Sequence, residues 1–297
     1  MDFIGKRTIW FAFSSVIILI GIVSMIFHAF NSGKFMNFGI DFTGGSMLTI
    51  RLDKEVLDKQ GIAPVRDILA THKLGEAIIQ KVSDTDVSIR TEPLETELRQ
   101  QMLKEMETKL GKIELLEADI IGPTIGKELR WQAFWALIIA SILIIIYVSL
   151  RFEFVFALAA LAALYHDLLI TTGIVAFLWR PVDSLFIAAL LTILGYSIND
   201  TIVIFDRIRE NLKRSNYAKL TLAQVANESI NQTMARSINT ILTVLIMLGS
   251  LFIFGGATIK DFCFVLLIGF VIGGYSSIFI ASPLLVQWSG GKRPSHK

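Results

Sequence analysis

The 297-residue chain has a single cysteine, Cys263, set in an apolar block, so no internal disulfide can form and a packing role is expected. It contains no Walker sequence, no redox motif and no metal-ligand spacing. Nucleotide hydrolysis, thiol chemistry and a metal centre therefore have no signature here; no cofactor is expected, and the chain does not read as an enzyme. Charge is scarce as well. Charged residues make up 18% and hydrophobic ones 53%, with a mean hydropathy of +0.61. Soluble domains carry about 25% charged residues, and here the apolar residues come in blocks rather than at surface-helix spacing. The net charge of +2 is small, and nucleic acid is not an expected partner.

Six blocks are long enough to span a bilayer: Ile9–Phe30, Trp131–Leu150, Phe154–Leu178, Ser184–Phe205, Ile238–Phe254 and Phe262–Val286. The fifth is short, and its helix is expected to start near Thr233. The first follows Lys6 and Arg7 but exceeds a signal core and lacks a small-x-small cleavage site, so it reads as an uncleaved anchor. Lysine and arginine in the short loops set orientation. With a cytoplasmic N-terminus, one side receives twelve of them, including Lys6, Arg7, Arg151, Arg207, Arg209, Lys213, Arg214, Lys219, Arg236 and the tail residues Lys292, Arg293 and Lys297. The other side receives only Arg180 and Lys260. Both termini are thus expected in the cytoplasm, with residues 1–30 forming the N-terminus and first span, 31–130 an extracytoplasmic domain, 131–286 spans two to six, and 287–297 a basic tail.

The outer segment reads as βαββαβ. Ser46–Leu52 alternates as a strand, and Ile62–His72 forms a helix with Pro64 in its first turn. Ala77–Val82 and Val87–Arg90 flank the turn Ser83–Asp86, a helix runs from Pro93 to Leu110, and Ile113–Ile121 closes the set. That order predicts an α+β ferredoxin-like sandwich. Its carboxylates alternate with lysines and His72 is its one histidine, so a binding or lever domain is expected rather than a catalytic one. Two glycine motifs flank it: Gly39-Ile-Asp41-Phe-Thr-Gly44-Gly45 and Ile121-Gly122-Pro123-Thr-Ile-Gly126. They read either as tight turns or as hinges.

Polar residues inside the apolar blocks carry the functional signal. An acid in a membrane helix costs about 2.5–3.5 kcal/mol on insertion scales, so it needs a partner, a water path or a coupling ion. Asp200, beside Asn199, is such an acid, about 8 Å at helical rise from the end of its block near Phe205. Arg236, at the mouth of the fifth block, is one candidate cation for it, and Arg207 is a rival on the same helix face. Protonation of Asp200 would break such a pair, which is the minimal chemistry of a proton-driven switch. Ser197, Asn199 and Thr201 also offer oxygen ligands, leaving sodium open as the coupling ion. His166-Asp167 lies mid-way along the third block, either as a structural hydrogen bond or as a working pair. Gly269 and Gly273, beside Gly274, form a small-residue face for packing within the chain or against a partner. Basic residues after Asp206 would meet anionic membrane lipids.

Gly39–Gly45, Ile121-Gly-Pro, Tyr165-His-Asp167 and Gly195-Tyr-Ser-Ile-Asn-Asp-Thr-Ile-Val-Ile-Phe-Asp-Arg-Ile-Arg-Glu-Asn211 occur in this order along nearly the whole chain, which in these motifs resembles the SecF family, related to the resistance-nodulation-division transporters. The resemblance implies half of a pseudo-symmetric transporter that works with SecD, often with YajC, beside the SecYEG channel and SecA. It implies use of the proton-motive force in late steps of polypeptide export across the bacterial cytoplasmic membrane. It further implies proton conduction by Asp200 and Arg236, with His166 and Asp167 matching the family's His-Asp pair. A stand-alone ion-driven exporter of small molecules or lipids, and a passive scaffold, are the other readings.

Overall fold

A computed structural model describes residues 2–53, 57 and 61–290. The expected basic tail residues Lys292, Arg293 and Lys297 lie outside the described residues. The chain forms two compact units, Met1–Asn37 with Phe134–Lys297, and Phe38–Ala133. Helix α1 spans Arg7–Ser32 and stops at Gly33, whose left-handed backbone (φ 69°) lets its N–H bond the Ala29 carbonyl.

The second unit is built on α2 (Ile40–Thr43), β1 (Gly45–Arg51), α3 (Ala63–Thr71), β2 (Ile78–Lys81), β3 (Asp86–Thr91), α4 (Thr96–Leu110) and β4 (Glu114–Ile121). The strands run β4–β1–β3–β2, and each neighbouring pair is antiparallel. That is the split βαβ arrangement of the expected ferredoxin-like sandwich. Alternation places Leu48, Ile50, Val87 and Ile89 on one face, where they pack with Ile68 and Leu69 of α3 and Met102 and Met106 of α4. The helix expected from Pro93 begins later, at Thr96. The Leu94 amide is bonded to the Ser46 hydroxyl at 2.8 Å and Glu95 is extended, so the chain docks onto the sheet before the helix can start.

The two glycine motifs meet within this unit. Gly44 and Gly45 hold φ of +73° and +129°, and an added Cβ would lie 2.9 Å from Pro123 Cα and 2.4 Å from the Thr91 carbonyl oxygen, respectively. A Cβ on Gly126 would stand 3.0 Å from the Gly44 nitrogen and 3.3 Å from the Asp41 oxygen. Gly39 precedes α2, Asp41 sits in its first turn, and Gly122 has open space around it.

The remaining helices are α5 (Pro123–Arg151), α6 (Phe154–Phe177), α7 (Ser184–Lys213), α8 (Leu222–Phe254), α9 (Ala257–Ser276) and α10 (Ser282–Trp288), with a π-helical turn at Ser277–Ala281 joining the last two. Among the described residues, six spans are long and apolar enough to cross a membrane: α1, α5, α6, α7, α8 and the run from Ile259 to Trp288. Three of them extend beyond their apolar blocks. α5 begins at Pro123, α7 continues to Lys213 through the pairs Arg209–Asp206, Arg207–Glu210 and Arg214–Glu210, and α8 starts at Leu222 on a Thr221–Gln224 capping box. α6, α7 and the last span form the buried centre, while α1, α5 and α8 expose apolar faces suited to lipid. Bare backbone sets the closest approaches. A Cβ on Gly21 of α1 would lie 2.7 Å from Gly173 Cα of α6, and one on Gly274 would lie 2.0 Å from Ile241 Cδ1. Gly269 and Gly273 face Ile193 and Ser197 of α7, so that small-residue face is used within the chain.

Gly45→Ala combines a steric conflict with unfavourable φ, so it is expected to destabilise the second unit by about 2 kcal/mol. Amide exchange in β1 and β3 of the full chain reads this, and unchanged protection would contradict it. A second expectation concerns acid. The Arg51 guanidinium, 2.8 Å from Asp86, holds the Asp86 carboxyl below the usual carboxylate range, aided by the Ser83 and Thr85 hydroxyls. Because the folded value is depressed, this stabilisation is present above the unfolded value, roughly 3.9, and fades as pH falls through the folded one. Arg51 is half exposed, which limits the effect to about 1 kcal/mol. Asp86→Asn should therefore speed exchange in β1 at neutral pH, with the difference from the parent chain vanishing in strong acid.

Candidate functional site

Among the described residues of the membrane unit two carboxylates lie buried, and their surroundings differ. Asp167 of α6 has no exposed surface. Its Oδ2 accepts from Ser197 of α7 at 2.6 Å and from Ser276 of α9 at 2.8 Å, and its Oδ1 lies 3.0 Å from His166 Nδ1. His166 Nε2 lies 2.9 Å from Ser14 Oγ of α1, which is 3.2 Å from the Tyr275 hydroxyl, and that hydroxyl donates to the Trp10 carbonyl at 3.1 Å. These contacts permit a proton count. The Tyr275 proton goes to Trp10, so Ser14 donates to Tyr275 and His166 Nε2 donates to Ser14. The Nδ1–Oδ1 contact then needs one more proton, carried either by an imidazolium beside a carboxylate or by a protonated Asp167. With every bond made, the His166–Asp167 pair carries two protons, one on Nε2 and one shared between Nδ1 and Oδ1, and no net charge.

Asp200 of α7 is 8% exposed. Its Oδ1 accepts one bond, from Ser237 of α8 at 2.6 Å, and its Oδ2 is buried with no hydrogen-bond partner. An unsatisfied buried polar atom of this kind costs about 1–3 kcal/mol, more when charged. Among the described residues Asp200 has no ion pair, so neither expected cation closes on it. Arg207 is held elsewhere, by Glu210 at 2.7 Å and Gln232 at 2.5 Å. Arg236 lies within electrostatic range of Asp200 but is exposed. It lines an open groove of about 600 Å³ at the charged end of the unit, together with Asn199, Thr233, Arg151, Asp206, Arg207 and Glu210.

Helical spacing explains the division of labour. Ser197 and Thr201, four apart on α7, turn the same way: Ser197 reaches Asp167, and Thr201 lies 2.8 Å from Ser277 Oγ in the π turn. Asp200 turns toward α8, and Asn199 toward the groove. The oxygens considered for sodium therefore do not converge on Asp200. The fold brings His166 and Asp167 together with Ser197, and Asn199 together with Arg236. Arg236 lines the groove, Asp200 is buried behind its neighbour Asn199, and the two do not pair. Sequence reasoning missed Ser14, Ser237, Ser276, Ser277 and Tyr275, although the Ser276-Ser277 doublet ahead of Ser282 stands out in an apolar block.

These features define a polytopic membrane protein with a ferredoxin-like unit between its first two spans and buried carboxylates held by hydroxyls. The family model described as "Protein export membrane protein SecD/SecF, C-terminal" matches residues 100–291, and the "SecD/SecF GG Motif" matches residues 36–56. A SecF protein translocase subunit from Sebaldella termitidis is 41% identical over 97% of this chain and 92% of its own length. One from Synechocystis is 38% identical over 95% of this chain and 92% of its own. The crystal structure of SecDF from Thermus thermophilus, described as a translocon-associated membrane protein, superposes with a TM-score of 0.85 at 34% identity; it covers 98% of this chain, which spans 39% of that longer one. SecDF in a super-membrane-facing form matches with a TM-score of 0.67. The chain belongs to the SecF family of protein translocase subunits. It is a subunit of protein-export machinery and not an enzyme.

Asp167→Ala would strand the Ser197, Ser276 and His166 groups in a dry interior. A loss of about 3 kcal/mol is expected from several orphaned donors, read as a lowered thermal midpoint of the detergent-solubilised chain. Ser197→Ala removes one of the bonds to Oδ2 and should lower the midpoint less. Equal midpoints for Asp167→Ala and the parent chain would overturn the assignment of Asp167 as the hub.

Proposed function

We propose that this chain uses the proton-motive force, together with SecD, to drive late steps of polypeptide export, and that Asp200 is the group that takes up and releases the proton. The observation that carries this reading is the half-satisfied state of Asp200: one oxygen held by Ser237, the other buried without a partner. Such a carboxyl suits a neutral, proton-bound form, because a buried anion would demand a cation or further donors. On deprotonation the cation in electrostatic range is Arg236, whose exposed side chain lines the groove with Asn199. An alternation of open and closed Asp200–Arg236 pairs, one per proton, is the switch proposed. A proton crossing the membrane supplies about 2.3 kcal/mol per 100 mV, enough to shift a pair whose two states differ by a similar amount. His166–Asp167, with its single shared proton, belongs to the same pathway.

The orientation follows from the loop charges. Both termini and the groove face the cytoplasm, residues 31–130 are extracytoplasmic, 131–286 hold spans two to six, and 287–297 form a cytoplasmic tail in the bacterial inner membrane. The glycine motifs, including Gly39, Asp41, Gly44, Gly45, Gly122 and Pro123, would transmit motion to the outer domain. SecYEG, SecA, YajC and the translocating polypeptide are the further partners of this reading. Support for SecD comes from the solved SecDF chain, of which this chain spans only 39%. Six spans are half of a pseudo-symmetric transporter, so a second half is needed to complete the path.

Asp200→Asn keeps size and one acceptor but cannot titrate. It should abolish proton-driven export in inverted vesicles while leaving recovery of the SecD complex unchanged. Full export by this variant would reject the proton role, and separately imposed proton and sodium gradients on the parent chain identify the ion.

A further inference from the structure

The open groove at the charged end of the membrane unit contains a cation without a counter-ion. Arg236 of α8 is exposed there, and among the described residues it has no ion pair. The two carboxylates of the groove do not need it. Asp206 is held by Arg151 and by Arg209 at 3.1 Å, and Glu210 by Arg214 and by Arg207 at 2.7 Å. Five arginines thus stand against two acids, a local surplus of positive charge that attracts an anion. The volume of about 600 Å³ falls within the roughly 300–1,000 Å³ of small-molecule sites. Ile202 and Val203 of α7 give the groove an apolar part, and Asn199 adds an amide donor. Its level along the helices is that of a headgroup layer. Arg151 closes α5 just past the apolar block that ends at Leu150, and Asp206 follows the block that ends at Phe205.

We infer that this groove is a binding site for one anionic phospholipid, its phosphodiester meeting Arg236 and its glycerol and first acyl carbons lying against Ile202 and Val203. Basic pockets between membrane helices at this level take anionic headgroups. A free phosphate carries the same charge to Arg236 but leaves the two apolar side chains facing water, whereas a lipid covers them. Asp206 and Glu210 are the acids facing the bound anion, and each is already offset by two guanidinium groups. Such a site differs from the attraction exerted by Lys213 and Lys219, which are exposed outside the groove. Those charges act on any anionic surface within a Debye length and hold no particular molecule. A built site keeps its lipid when the surrounding bilayer is removed. The site stands apart from the proton role proposed for Asp200, because lipid retention is measured without export.

Native mass spectrometry of the full chain with its SecD partner, extracted from vesicles of equal phosphatidylglycerol and phosphatidylcholine, counts the retained lipid. One phosphatidylglycerol should be kept in preference to phosphatidylcholine. Arg236→Gln should lower that retention about tenfold, the weight of one hydrogen bond to a charged group. Lys219→Gln removes the same charge from outside the groove and should retain the lipid as the parent chain does. Arg236→Lys keeps the charge and should keep most of the lipid, which separates loss of the site from loss of the fold. Equal retention of the two lipids by the parent chain would overturn the site. So would equal losses in Arg236→Gln and Lys219→Gln, since the attraction would then be diffuse. Displacement of the lipid by millimolar inorganic phosphate would overturn the lipid as occupant and assign the groove to a free phosphate.

Discussion

A carboxyl group with no exposed surface inside a helical bundle is tolerable only when both of its oxygens are bonded, and Asp167 meets that demand with partners from three helices. Ser197 brings α7 to it, Ser276 brings α9, and His166 extends the contact through Ser14 to α1. Each bond is modest alone, but loss of the acceptor would leave several donors dry at once. The positions of α6, α7 and α9 are thereby tied to one side chain. Everything built on those helices inherits that tie, including Asp200 and the π turn at Ser277–Ala281.

Asp200 is the counterpart that the bundle leaves unfinished. It has one hydrogen-bond partner where Asp167 has three, and its free oxygen faces no cation within ion-pair distance among the described residues. The contrast is one of how tightly each acid is held. A fully bonded acid resists change, whereas a half-bonded one can gain a proton, a water or an arginine at little structural expense. On the proton role proposed for Asp200, Asp167 on the neighbouring helix serves as its fixed support. A π-helical turn next to Thr201 fits the same pattern, since such turns recur at working sites in helices.

The parts legible in the sequence were those governed by composition over long windows. Six apolar blocks gave six spans, and the alternation of Ser46–Leu52 and its neighbours gave the sheet, down to an order compatible with βαββαβ. Helix ends were less legible. Hydropathy sees where a helix leaves lipid, not where it stops, so the charged turns of α7 to Lys213 and the polar start of α8 at Leu222 fell outside their blocks. The start of α4 depended on the Ser46–Leu94 bond, a contact between residues far apart in the chain. At the site, Asp200, Asp167 and His166 were visible because charge is rare in an apolar block. Ser14, Ser237 and Ser276 were not, because a lone serine is common in membrane helices and its role depends on the facing residue.

The small-residue face of α9 shows how packing and chemistry merge. Read alone, Gly269 and Gly273 describe close helix contact. In the fold, a Cβ at Gly273 would lie 3.0 Å from Ser197 Cβ and 3.2 Å from its hydroxyl oxygen. That hydroxyl is one of the two that donate to Asp167 Oδ2, and the other, on Ser276, also reaches the Gly273 carbonyl at 3.1 Å. A side chain at Gly273 would therefore push α7 and α9 apart at the level of the carboxylate. Ser197 and Ser276 could then no longer both reach one oxygen. The glycine is present at that turn because two hydroxyls must converge on one buried acid, so the bare backbone of α9 is a component of the charge site as much as of the helix packing.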